Sequence, residues 1–140
     1  MEPILTPAEM NEMRQMLQDY APAQEAFAML EKHQGRLDSS FDELWFENNN
    51  LESYNRKSLW QVTLKTLRAE LCGNDGLRAQ FKDYTKNPGS APLLTGLIVA
   101  VVGLGASSGI PIDPSIATIV VLYLLKIGLN IFCEYTEPVS

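Results

Sequence analysis

Val121–Tyr135, VLYLLKIGLNIFCEY, decides the fold by how its one lysine is read. In the core of a water-facing domain, Lys126 requires a partner. In a bilayer it either reaches for the surface or lines something wet. The flanking sequence favours the bilayer. From Ala91 to Ile112 there is no charged residue, and from Pro114 to Cys133 Lys126 stands alone. Each stretch is close to the roughly 20 residues that cross ~30 Å of hydrocarbon at ~1.5 Å per residue. SGIPIDPS, residues 108–115, supplies a tight polar turn, with Asp113 as helix N-cap and Pro114 as first helical residue. The spacing predicts a transmembrane helical hairpin with spans at about 91–110 and 114–133. The competing expectation is a helical hairpin buried inside a soluble oligomer.

Charge is distributed in blocks. Residues 1–52 carry eleven acids and three bases, residues 53–90 three acids and seven bases, and residues 91–140 three acids and one base. An acidic head, a basic collar and a nearly uncharged tail suit a membrane protein whose collar meets lipid headgroups. Arg78, Lys82 and Lys86 precede the first span and the connecting turn has no base, so both termini are expected in the cytoplasm. The expected location is therefore integral membrane. No basic stretch followed by a short apolar one opens the chain, so no cleavable signal peptide is expected. The acidic head argues against nucleic acid. Cys72 and Cys133 lie far apart with no CxxC or Cys/His cluster, and are read as free thiols in a reducing compartment.

The amino-terminal part reads as three short helices. Thr6, Pro7 and Glu9 form a capping box with proline at the first helical position, and Met10, Met13, Leu17 and Tyr20 recur at helical spacing to about Asp19. Pro22 restarts a helix bearing Ala23, Phe27 and Leu30 that stops near Gly35, and Asp38 caps a third with Phe41, Leu44 and Trp45. Residues 48–57 are polar and asparagine-rich, hence a linker. Residues 58–87 form an amphipathic, basic helical pair. Ser58 and Gln61 cap its first helix and Trp60, Leu64, Leu67 and Leu71 line one face. The two apolar faces are expected to pack on each other.

Two stripes stand out in the apolar region. Gly96, Ala100, Gly103 and Ser107 put four small side chains on one face, against which the second span is expected to pack closely. Tyr123, Lys126, Asn130 and Glu134 form a polar stripe, either snorkelling or lining a pore. Little suggests catalysis: His33 is the only histidine, Asp42 with Glu43 reads as a solvated helix face, and no glycines fall in a phosphate-binding order. Neither catalytic nor metal residues are assigned, no cofactor is expected, and the chain is read as not an enzyme.

Residues 17–45, LQDYAPAQEAFAMLEKHQGRLDSSFDELW, resemble the ubiquitin-associated and CUE-type three-helix fold. They share a proline-containing first loop at Tyr20, Ala21 and Pro22, a glycine, an apolar residue and an acid at Gly35, Leu37 and Asp38, and an apolar pair at Leu44 and Trp45. The first loop lacks that family's usual glycine or phenylalanine. The resemblance therefore implies a protein-binding patch of Tyr20, Pro22, Leu44 and Trp45, not recognition of ubiquitin itself. The remainder is similar to small two-span proteins of photosynthetic bacteria, which implies a thylakoid or plasma membrane. The expected protein is all-α, a helical bundle over residues 1–47 and a helical pair before a transmembrane hairpin. It would act as a membrane-anchored adaptor or accessory subunit for a protein partner. The alternatives are a homo-oligomeric pore or scaffold and a soluble oligomer with a shared hairpin core.

Overall fold

A computed structural model describes residues 4–48, 59–73, 75–109 and 112–135. These residues form eight helices: α1 Pro7–Met16, α2 Ala21–Lys32, α3 Leu37–Asn48, α4 Leu59–Gly73, α5 Asp75–Lys86, α6 Ala91–Ser108, α7 Pro114–Ile127 and α8 Leu129–Tyr135. The apolar run that opened the sequence reading is two helices. Gly128, at φ 87° and ψ 136°, breaks it after the 14 residues of α7, which at ~1.5 Å per residue reach only ~21 Å. No helix among the described residues is long and apolar enough to cross a membrane. This corrects the expected transmembrane hairpin, both of its spans, and the integral membrane location with cytoplasmic termini built on them.

The physical reason is that α7 is covered by protein on every side. Ser115 to Leu124, ten consecutive residues, are all buried, and α2, α3, α6 and α8 pack around them. A helix apolar around its whole circumference belongs either in lipid or at the centre of a protein. At 14 residues it belongs to the second class. Its buried serine and threonine are satisfied locally: Ser115 Oγ donates to Asp113 Oδ1 at 2.6 Å and Thr118 Oγ1 to the Pro114 carbonyl at 2.7 Å.

The surrounding helices carry the capping chemistry their sequence requires. Both arms of the Thr6–Glu9 capping box are formed, and Asp113 Oδ1 accepts from the Ile116 N–H at 2.9 Å. Gly35, at φ 85°, ends the α2 region by donating to the Leu30 carbonyl at 2.7 Å, and its own carbonyl accepts from Leu5 N–H at 2.8 Å. Trp60, Leu64, Leu67 and Leu71 of α4 and Leu77, Phe81 and Tyr84 of α5 are buried. The α4 and α5 faces do not chiefly cover each other, because α5 packs more extensively on α6 than on α4. Likewise α2 meets α7 over a larger contact than it shares with α3. The buried apolar residues from Leu5 to Cys133 accordingly form one continuous cluster, with no separate core for residues 1–47. Apart from Asn48, the expected linker lies outside the described residues, as does Ser58 of the expected cap.

Cys72 and Cys133 are joined in a disulfide, their Cα atoms 5.8 Å apart across 61 residues of sequence. This corrects the expectation of free thiols. The reason is topological: α8 folds back from Gly128 onto α4, which places the end of one helix beside the end of the other.

Candidate functional site

The residues singled out in the sequence fall in three places. Of the expected protein-binding patch, Leu44 is fully buried and Trp45 nearly so, while Tyr20 and Pro22 are half-buried. Trp45 stacks on Phe41, Phe41 meets Trp60 edge-on, Trp60 meets Tyr123, and Tyr123 meets Phe132, with centroids 5.7, 5.2, 4.8 and 6.1 Å apart. This aromatic chain uses Trp45 to build the core from α3 to α8, so the four patch residues offer no joint surface.

The small-residue stripe also faces the other way from the expectation. Leu94, Leu97, Ile98 and Val101 of α6 turn inward, while Gly103 and Ser107 are exposed and Gly96 and Ala100 half-buried. A Cβ added at Gly96 or Gly103 would meet nothing. Removing large apolar side chains from water is worth more than close backbone approach, so the leucines and isoleucine take the inside. The α6 glycine at close quarters is Gly105, where a Cβ would press on the Ile112 side chain at 2.9 Å.

The polar stripe is not assembled either. Tyr123 is buried, Glu134 is exposed, and the Asn130 side chain lies outside the described residues. Lys126 finds its partner on a distant helix: its Nζ is 2.7 Å from Glu9 Oε1 on α1. That oxygen also accepts from the Thr6 N–H at 2.9 Å. Lys126 and Thr6 together hold the Glu9 carboxyl below its usual range. Asp42 and Glu43 likewise have assigned partners. Asp42 Oδ1 accepts from Trp60 N–H at 2.8 Å, fixing the start of α4, and Glu43 pairs with Lys32 at 2.8 Å, with His33 Nε2 at 3.4 Å.

The feature that composition and spacing did not reveal is a groove of about 830 Å³ between α1 and α5. It arises because α1 buries none of its own residues. Met10, Met13 and Met16 rest only partly covered against the core. Leu124, Leu125, Gly128 and Leu129 supply the floor, Met13 one wall, and Phe81 and Tyr84 the other, with Ile131 of α8 at the side. The Tyr84 hydroxyl donates to the Pro88 carbonyl at 3.0 Å and lies 3.2 Å from Met16 Sδ, joining the walls at one end. Its phenol is pushed above its ordinary value by burial, with the nearby Glu12 charge adding to the effect.

The rim is charged. Glu12 stands on the α1 side, and Arg78 and Lys82, one helical turn apart, stand on the α5 side. Arg78 is oriented by its Nε, which donates to the Cys72 carbonyl at 2.8 Å. An apolar floor flanked by fixed charges is equipped to bind an amphipathic ligand. Among the described residues no group of three His, Cys, Asp or Glu side chains is placed to hold a metal ion. No spacing announces this groove: in the sequence Met13 reads as the apolar face of the first helix, and Arg78 and Lys82 read as bases preceding the first expected span. No protein-family profile, no curated protein and no solved structure matches the chain.

Proposed function

We propose that this chain is a protein-binding accessory or adaptor subunit that holds an amphipathic helix of its partner in the α1–α5 groove. The observation that carries the reading is the groove itself. It combines a length of apolar floor with one flexible methionine wall and a pair of bases spaced at i, i+4. A helix laid in such a groove buries residues at i, i+3/i+4 and i+7. Methionine side chains adapt their shape to whatever apolar surface is presented. Arg78 and Lys82 select acidic residues along the partner helix's flank through complementary charge.

The test is a titration of the intact protein with fluorescein-labelled amphipathic peptides, equal in apolar face and differing in flank charge. The acidic peptide is expected to bind and the basic one to bind far more weakly. Arg78→Glu with Lys82→Glu is expected to reverse that order, and Ile131→Asp, at a side chain that is 59% exposed, to weaken both without unfolding the protein. Binding that ignores both sets of substitutions would place the partner elsewhere.

A further inference from the structure

We propose that the Cys72–Cys133 disulfide is a thiol-sensitive latch that fixes α8, and with it one side of the α1–α5 groove; the inference rests on the groove reading for its consequence, but not for its structural test. Each half-cystine belongs to a segment that shapes the groove. Cys133 is in α8, two residues beyond Ile131 and four beyond Leu129, and both of those line the groove. Cys72 is at the end of α4, and its carbonyl is the acceptor that orients Arg78 on the opposite rim. One covalent bond therefore ties the α8 side of the groove to the segment that aims its basic rim.

The segment it holds is built to pivot. α8 is seven residues long and is joined to α7 through Gly128, whose φ of 87° is a conformation that side-chain-bearing residues rarely adopt. Its packing partners are α4 and α7. Besides the disulfide, α8 is fastened by Phe132, packed against Tyr123, and by Arg68, which donates to the Cys133 carbonyl at 2.9 Å. A single turn or two of helix has little stability of its own, so its position depends on these ties.

The chemistry is thiol–disulfide exchange with a dithiol reductant. Cys72 is only partly buried whereas Cys133 is 8% exposed, so the reductant's thiolate attacks the Cys72 sulfur. The Cys72–Cys133 bond breaks, and Cys133 leaves as a thiolate and takes up a proton. The reductant's second thiol then displaces Cys72, which is also protonated. Two electrons and two protons pass to the protein, and the reductant is left as its own disulfide. With the latch open, α8 moves about Gly128, Leu129 and Ile131 no longer hold their places, and the groove loses its preformed shape. Preorganised sites bind more tightly than ones that must be ordered by the ligand.

The experiment compares the intact protein, oxidised and after dithiothreitol, by amide hydrogen exchange and by titration with the acidic amphipathic peptide. Exchange in residues 129–135 is expected to speed up by about tenfold or more on reduction while α2 and α7 stay protected, the pattern of local opening. Peptide affinity is expected to fall by about tenfold in parallel. Cys72→Ser with Cys133→Ser is expected to behave as the reduced form and to ignore dithiothreitol. Unchanged exchange in α8, or a uniform loss of protection throughout the chain, would overturn the latch. Faster exchange confined to α8 supports it even if the peptide binds neither form, which would instead sink the groove reading. Equal peptide binding by both forms, with the groove variants still effective, would leave the groove standing and overturn the latch.

Discussion

Lys126 interrupts an apolar run because its ammonium is needed at one point on the protein surface, beside Glu9. The pair fastens α1, a helix with no buried residue, to the central helix. Both side chains are about one-third exposed, so a double-mutant cycle between Glu9→Gln and Lys126→Met is expected to give a coupling of about 0.2–1 kcal/mol. The sign with pH follows from the direction of the Glu9 shift. A carboxyl lowered in the folded state contributes stability that is fully present above its unfolded pKa of about 4.3 and is lost as pH falls through the lowered folded value. Urea midpoints of Glu9→Gln are therefore expected to fall less steeply than wild type below about pH 5. Gly35 is the least replaceable small residue. A Cβ there would strike the Leu5 carbonyl oxygen, at a backbone φ of 85° that already disfavours any side chain. Gly35→Ala is expected to cost about 2 kcal/mol or more, the strain of the left-handed conformation and the displaced Leu5 backbone acting together.

At the level of the helix, what the sequence revealed well was punctuation and what it concealed was the identity of the surroundings. Thr6, Asp113 and Gly35 announce helix ends through local hydrogen bonds that need no knowledge of the rest of the chain. Hydrophobicity is not local in that sense. A helix apolar all round is equally suited to lipid and to the centre of a bundle, so α7 could not be placed by composition. The discriminating signal was Gly128, which shortens the run below spanning length. On α6 the error was of solvent: small residues mark the contact face in lipid, whereas in a water-driven core the larger apolar side chains take it, as Leu94, Leu97, Ile98 and Val101 do. The groove was concealed because it is an absence of packing between α1 and α5, and a gap between two helices leaves no pattern in either. Gly128→Ala tests the break directly. Replacing glycine at this positive φ is expected to destabilise by about 1–2 kcal/mol, read from urea unfolding, with faster amide exchange in α8 ahead of the other helices.

Across the whole molecule one buried cluster joins seven of the eight described helices, with α1 resting against it through Met10, Met13 and Met16, so unfolding is expected to be a single cooperative transition. The disulfide closes a separation of 61 residues, and the reduced protein is expected to unfold at a lower urea midpoint, still in one phase, with α2 and α7 remaining the last helices to exchange. A fragment ending at residue 48 keeps α1, α2 and α3 but loses α7, the largest cover of α2. It is expected to show helix by circular dichroism without a cooperative melt, whereas a sharp transition would mean that those helices close on themselves. The central position of α7 also has a consequence in time. Six of the eight helices precede it along the chain, so on the ribosome α2, α3 and α6 emerge before the element that covers them. Their apolar faces must wait in a loose, association-prone state until residues 114–127 follow. Synthesis that stalls before Pro114 would leave a nascent chain with six of the eight helices made and nothing at their centre, the form in which this protein most needs a chaperone.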